Sequence, residues 1–575
     1  MDGRLLHRIG CLALDDLTER AASGIVICDD PQGEHMRISV LILTLSVLAL
    51  AMPPRPGMLE GTGSPTPVFP PGVDVAGPNR LKDESDLETV TILMQFPDNQ
   101  ADTLARSPAR FDSMLYSTGV YNGLQYRAGS LHDYWLECSY GDYHVRGGIG
   151  GGRWFMSNYN YSRYYDGNYL LSTGSQLAEE NLQQVDAYVD FSQYDLDQDG
   201  HIPALFMVHA GADGADNGNV NCLWSHALPY FSYTTNDGVV IDGVTNVPEF
   251  AMVMAAKETT MCCIAVMCHE MGHLVGLPDL YDQSRYYWGP GYWSLMAYGA
   301  WGAGGNTPWS PSHPDAWCLN EAGFVSPTVV TTNLYNVHIP PVENEPVVYK
   351  AWRRGADGDT CFYLENRQQR GFDAPLPGHG LALWHIDPYY RSAMYRYVNM
   401  EEDSTDHLDH GNGVRPDPHV YHQELGDTSD VLPSIWNRVV FDSASKPSSR
   451  DRNNLSTGVC IRNIHESGDT IICDIIVKPE SVGLAEVPAP YSRLSTPLAS
   501  PNPFSREVTL TCLPIGAVAR VYSAAGALVW KAEVPAADRL VWMGQDLAGA
   551  RVPEGIYLVQ VAGTSGPPVK VVLNR

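Results

Sequence analysis

The chain has 575 residues, enough for several domains and more than one buried core. Its 37 Lys+Arg against 66 Asp+Glu leave a formal charge of −29, which argues against non-specific nucleic-acid binding. Hydrophobic residues make up 44% and charged residues 18%, so most of the chain should fold rather than stay disordered.

Residues 36–51 (MRISVLILTLSVLALA) combine one basic residue, a short apolar run and the small-x-small site Ala49-Leu50-Ala51. That length suits a signal peptide better than a spanning helix, so no stable membrane span should remain after its removal. Signal peptides begin a protein, which makes Met36 the expected start and residues 1–35 a misassigned upstream extension. Residues 52–86 are rich in Pro, Gly and Ser and read as a linker or short pro-segment.

The first convincing strand is 89–94, ending at Gln95-Phe96-Pro97-Asp98. Residues 130–137 (SLHDYWLE) read as a helix from a serine cap, 139–142 as a turn, and 143–145 as the start of a strand. Residues 176–189 read as helix and 202–209 as a buried strand, followed by a loop-rich interval at 210–249. Before that strand, Asp195, Asp197, Asp199, Gly200 and His201 match the first half of an EF-hand loop, whose oxygens converge on calcium while glycine permits the turn. Position twelve would be Phe206, so the bidentate glutamate is missing. The expectation is a structural calcium held by Asp195, Asp197, Asp199 and His201; an Asp-rich turn that binds nothing is the bland alternative.

Residues 261–282 (MCCIAVMCHEMGHLVGLPDLYD) carry His269-Glu270-x-x-His273 on a helix whose apolar residues Ile264, Met267, Cys268, Met271 and Val275 fit one buried face. The histidines, four apart, lie one above the other, and two neutral imidazoles offer nitrogen to zinc. Glu270 stands beside them as a base for a water that the metal activates. Gly276 can end the helix in a left-handed conformation, with Pro278 beyond it, and the returning chain can bring Asp279 in as third ligand; Asp282 lies close by. HExxH also occurs by chance in unrelated helices, but here glycine and aspartate follow in register.

Downstream, Met296 and Tyr298 lie in a glycine- and aromatic-rich turn, which alone could be ordinary core filling. Residues 326–477 change to short alternating runs, among them 347–352, 360–365, 380–386 and 459–464, and read as an all-β sandwich packed on the preceding domain. Within it, residues 401–410 (EEDSTDHLDH) mix acids with histidines and read as a solvated loop in preference to a second metal site. Ten cysteines remain outside residues 1–35; Cys460 and Cys473, flanking an expected hairpin, are the best candidate pair, while Cys262, Cys263 and Cys268 read as apolar fillers. After a linker at 478–497, residues 498–575 show five strand-like runs (508–513, 519–523, 528–534, 539–542, 556–562), with Gly526, Gly544, Gly549 and Gly555 at the turns.

Residues 88–477 resemble the immune inhibitor A-type secreted metallopeptidases through HExxHxxGxxD at His269–Asp279, together with Gln95–Asp98, Ser139–Gly141, Asp195–Gly200, His209–Gly211, Trp224–His226, Glu365–Arg367 and Trp384–Asp387. The resemblance implies an α+β zincin, metzincin-like catalytic domain at 87–325, the β-sandwich domain after it, zinc-dependent cleavage of protein or peptide substrates, and calcium supporting the fold. His269, His273 and Asp279 would be zinc ligands and Glu270 the base. Met296 resembles the methionine of the metzincin turn, and Tyr298 the tyrosine that some metzincins place near the metal, where it could bond the developing oxyanion. The C-terminal unit is similar to a FlgD-type Ig-like or type IX secretion sorting domain, through Pro501-Asn-Pro-Phe504, Trp542-x-Gly544 and Gly555-Ile-Tyr557. That implies a small Ig-like β-sandwich, a partnership with secretion machinery, and a secreted or surface-attached protein. The rival reading is a catalytically silent metal-containing surface adhesin; the intact glutamate beside both histidines counts against it.

Overall fold

The structure, a computed structural model, describes residues 27–29, 35–37, 50–53, 55, 85–119, 121, 129–165, 174–219, 221–250, 261–281, 289–356, 358, 360–387, 398–400, 425–435, 437–451, 454–478, 498–500, 502–511, 518–524, 527–534, 539–561 and 569–575. Asp282, Gly526, the acid–histidine segment 401–410, the linker 479–497, most of the signal-like stretch and most of residues 52–86 lie outside them. The chain divides into two compact units, Met1–Pro479 and Glu480–Arg575.

Unit one begins with an antiparallel pair, β1 (Ile27–Asp29) and β2 (His35–Arg37). It is built on a mixed sheet ordered β3 (Leu50–Ala51), β8 (His226–Thr234), β9 (Val240–Phe250), β7 (Ala204–Ala212), β4 (Asp86–Gln95), β5 (His144–Met156), with β6 (His201–Ile202) paired to β9. Strands β9, β7, β4 and β5 run parallel, while β8 and β3 are antiparallel. A parallel core is covered on both faces, which explains why β4 is buried almost throughout. Val90, Ile92 and Met94 point to a core shared with α3 (Gly174–Val185). Leu87 and Leu93 point to the other, shared with α1 (Pro108–Tyr116) and α2 (Leu131–Cys138). On that second face the hydroxyls of Thr89 and Thr91 are satisfied by Tyr116 Oη, at 2.9 and 2.6 Å. Helix α2 starts as a capping box: Ser130 Oγ accepts from Asp133 N and Asp133 Oδ2 accepts from Ser130 N, both at 3.0 Å.

The interval 210–249 corrects the sequence reading. It holds the short helix α4 (Gly214–Asn217) and the hairpin of β8 and β9. Pro229 falls in the irregular pairing between Leu228 and Ser232, outside the regular ladder. Helix α5 (Ile264–Leu274) follows on the α1/α2 face and is buried on all sides.

After α6 (Ala316–Glu321) the chain forms two sheets. One is ordered β10 (Thr328–Val330), β12 (Tyr349–Trp352), β13 (Cys361–Arg367), β14 (Gly380–Ile386), β15 (Val398–Met400). The other is ordered β11 (Leu334–Ile339), β18 (Thr470–Ile476), β17 (Cys460–Ser467), β16 (Val440–Phe441). Phe362, Leu364, Leu381 and Leu383 face Ile339, Ile461, Ile471 and Ile475 across one core. Alternation turns Tyr363, Ala382 and Trp384 the other way, into the core that surrounds α5. The expected Cys460–Cys473 bridge is not formed: Cys460 stands opposite Ile476, and Cys473, three residues away and so on the other face, points into the sheet-to-sheet core.

Unit two has sheets β19 (Leu498–Ser500), β20 (Val508–Thr511), β23 (Leu540–Trp542) and β22 (Leu528–Glu533), β21 (Val518–Ser523), β24 (Gly555–Val561), β25 (Val569–Leu573). Phe504, Val521, Trp542, Tyr557 and Val571 share its core. Strands β19 and β25 lie outside the five runs read from the sequence. No helix among the described residues is long and apolar enough to cross a membrane.

Candidate metal centre

Helix α5 sets His269, Glu270 and His273 side by side, and all three are fully buried. The helix stops where glycine allows it: Gly276 has φ 92°, and Leu277 N reaches back to Gly272 O at 2.9 Å. The chain then folds under the helix, tied by a bond from Leu280 N to Met296 O at 2.8 Å, which delivers Asp279 to the histidines. Asp279 Oδ1 lies 3.2 Å from His269 Nε2 and 3.3 Å from His273 Nε2. The imidazole rings stand 4.9 Å apart at 86°.

The ring protons are committed elsewhere. His269 Nδ1 donates to Leu295 O at 2.9 Å and His273 Nδ1 to Leu277 O at 2.8 Å, which leaves both Nε2 atoms as lone-pair acceptors. Two such nitrogens and a carboxylate oxygen converge without a proton to share, and each is a buried polar atom lacking a hydrogen-bond partner. A divalent cation would resolve that arrangement, and two imidazole nitrogens with one carboxylate oxygen are a donor set that suits zinc. Burial alone would raise the Asp279 carboxyl; without a metal, protonation of His273 and His269 outweighs it and holds it down at about 2. Burial lowers His269 below its ordinary value. Glu270 goes the opposite way: burial first, then the charges of Asp279 and Asp213, push its carboxyl well up.

Met296 lies beneath the pair, against Gly272. Tyr298 is buried with its ring 6.1 Å from Tyr281, whose own ring is 6.4 Å from His269. Tyr281 thus neighbours both Tyr298 and His269, a placement that nothing in its sequence position signals. The turn is braced from the β-sheets. Arg367 Nη1 donates to Trp293 O at 2.8 Å, Trp293 Nε1 to Asp430 Oδ2 at 2.9 Å, and Ser294 Oγ to Asp315 Oδ2 at 2.7 Å.

The expected calcium set is rearranged. Glu88, Asp195 and Asp197 gather ligand oxygens within 4.8 Å of one another. Asp199 and His201 do not join them: Asp199 Oδ1 accepts from His201 N at 2.7 Å, and His201 Nδ1 pairs with Asp242 Oδ2 at 2.6 Å. Glu88 arrives from β4, where an acid inside the strand, two residues after Asp86, was the available signal. Burial raises its carboxyl, and Asp197 and Asp195 add to that.

Residues 82–323 match the family described as "Immune inhibitor A peptidase M6, catalytic domain". The Pre-pro-metalloprotease PrtV of Vibrio cholerae serotype O1 is 29% identical over 332 residues, covering 47% of this chain and 34% of that protein. Immune inhibitor A of Bacillus thuringiensis subsp. alesti is 34% identical over 164 residues, covering 24% and 23%. The chain therefore spans about a third of the first relative's length and about a quarter of the second's. A solved structure of PorZ, a surface component of the type-IX secretion system of Porphyromonas gingivalis, is similar at 19% identity with a TM-score of 0.14 over 20% of this chain and 15% of that one, too little to carry an argument. Together the family match and the two relatives support a metalloprotease.

Proposed function

We propose that the chain is a secreted zinc-dependent endopeptidase in which His269, His273 and Asp279 hold the metal and Glu270 is the general base. The observation that carries this reading is the convergence of two unprotonated Nε2 atoms and one carboxylate oxygen beside a buried, unpartnered glutamate. Zinc held there would supply Lewis acidity, polarising the scissile carbonyl and lowering the pKa of the attacking water. Glu270 accepts that water's proton as it attacks and returns it to the leaving amine. Its raised proton affinity suits both transfers, because a carboxyl of ordinary acidity would be a poor acceptor at neutral pH. The Leu295 and Leu277 carbonyls keep both imidazoles in one tautomer and orientation. Tyr298, packed edge-on against Tyr281, is the hydrogen-bonding group toward the developing oxyanion.

Glu88, Asp195 and Asp197 form a calcium site that ties the 195–201 loop to β4. Removal of residues 36–51 as a signal peptide exports the chain, and residues 498–575 are the sorting domain that engages secretion machinery and leaves the enzyme secreted or at the surface. Digestion of casein with the zinc-loaded protein, with and without chelator, tests the central claim. Cleavage that chelation stops and zinc restores is expected; no chelator-sensitive cleavage removes it.

A further inference from the structure

Strand β8 is the last long strand of its sheet, and the chain itself covers its edge. Leu50 pairs with Ala227 and Ala51 with His226, antiparallel. Beyond the strand the segment stays engaged through its main chain. Met52 N donates to Ser225 O at 3.2 Å, Trp224 Nε1 to Met52 O at 2.7 Å, Trp301 Nε1 to Pro53 O at 2.9 Å, and Arg55 N to Ala215 O at 2.8 Å. The Met52 side chain is buried in the core around α5, the helix that carries Glu270. Arg55 then sets its guanidinium on Asp216, with Nε 2.7 Å from Oδ1 and 3.2 Å from the Asp216 carbonyl oxygen. The Asp216 side chain is fully buried, while that of Arg55 is 24% exposed.

Two kinds of contact are present. The bonds from β8, Ala215 and the two indoles address only peptide groups, so any extended chain can make them. Asp216 is different: a buried carboxylate is costly without compensation, and a basic side chain supplies the opposite charge. We infer that the groove bounded by β8, Trp224, Trp301 and α4 receives an extended polypeptide substrate beside Glu270, and that Asp216 selects an arginine or lysine of that substrate. Residues 50–55 are the occupant the chain supplies to itself before residues 36–51 are removed, and Met52, Pro53 and Arg55 keep their bonds to the groove afterwards. The word substrate rests on the peptidase reading above; the groove and its preference for a basic strand do not.

Binding and cleavage are therefore measured separately. The full chain carrying Arg55→Glu, whose resident segment is repelled by Asp216, is titrated with a fluorescein-labelled peptide of residues 50–57 (LAMPPRPG), followed by anisotropy. Saturable binding is expected, weaker by about tenfold or more when the peptide arginine is replaced by glutamine or when Asp216→Asn is added. The altered peptide needs no further change in the protein, so it decides the question even if Asp216→Asn folds poorly. No binding, or binding indifferent to both changes, overturns the inference. Denatured casein is then digested with the wild-type chain and with Asp216→Asn, and the products are sequenced by mass spectrometry. Arg or Lys should be enriched at one fixed offset from the cut, and Asp216→Asn should abolish that enrichment; an absent or unchanged enrichment overturns the selectivity. A chain that binds the peptide through Asp216 yet cuts nothing in zinc supports the groove and removes the peptidase reading.

Discussion

Gly272 and Met296 touch so closely that a Cβ on Gly272 would stand 2.5 Å from Met296 Sδ. The methionine is fully buried, so it has little room to withdraw. Gly272→Ala, which in an exposed helix would gain about 1 kcal/mol of propensity, should here cost about 1–3 kcal/mol through overpacking. It should also tilt His273 and weaken zinc binding. Adding Met296→Ala should recover part of the loss, because the two side chains share one space. Thermal melts and zinc titrations of the two single variants and the double variant check this. A Gly272→Ala chain as stable as wild type would mean that the methionine moves aside freely.

Asp279 and Glu270 are both buried carboxyls near the histidines, yet their expected roles separate by metal content. Asp279→Ala removes the oxygen 3.2–3.3 Å from both Nε2 atoms and should abolish stoichiometric zinc binding. Glu270→Ala should keep the metal and lower kcat/KM by about 10²–10⁴, the usual contribution of a positioned base. Elemental analysis of the purified variants beside casein digestion distinguishes them. Loss of zinc from Glu270→Ala would recast the glutamate as a ligand.

Much of this neighbourhood could be read from local sequence, because helix period, a terminating glycine and a returning aspartate all fall within residues 264–279. The bounds of β14, Gly380–Ile386, were equally plain from its flanking glycine and its alternation. What was hidden depends on pairing between distant segments. Glu88 reaches the Asp195 loop only because β4 lies beside β7 in the sheet. The bulge between Arg462 and His465 shifts the hairpin register around the two cysteines, which no spacing rule reveals. The docking of residues 50–55 on β8 was hidden because residues 50–51 read as the end of a signal peptide and 52–55 as linker or pro-segment, and neither composition says anything about a partner.

Calcium should stabilise the chain through three carboxylates that repel one another in its absence. The expected result is a higher melting midpoint in calcium than in chelator, with Glu88→Gln removing most of the difference. Asp199→Asn should leave most of it, since Asp199 is engaged with His201 N instead. A melting midpoint that calcium does not move would dismiss the site.

Arg367 is fully buried between Asp373, at 2.6 Å, and Glu365, at 3.3 Å, with Glu343 at 3.8 Å. Arg367→Met should leave those carboxylates uncompensated and cost about 3–5 kcal/mol, the usual penalty for breaking a buried pair from one side. Urea unfolding measures it. The additional expectation is weaker zinc binding, since the Trp293 carbonyl held by Arg367 lies two residues from Leu295, which orients His269.

Acid should weaken the fold partly through His226. Its Nδ1 donates to Trp224 O at 2.7 Å, its Nε2 faces Asn246 Nδ2 at 2.8 Å, and burial lowers it from 6.5 to about 4. A depressed folded-state value means that the unfolded chain takes up the proton first. Stability from this group is therefore intact above about pH 6.5 and is lost as pH falls towards 4, at about 1.4 kcal/mol per pH unit. Buried carboxyls act in the opposite sense over part of the same window: burial raises Asp213 and Glu365 to about 7, so they bind protons more readily in the folded state and gain stability as pH falls. The wild-type pH curve mixes these contributions, and only a difference isolates the histidine. His226→Gln keeps hydrogen-bonding atoms but does not titrate there, so its stability relative to wild type should rise steadily from pH 6.5 to 4 and level off below. Parallel stability curves for the two proteins across that range would show that His226 does not carry the acid sensitivity.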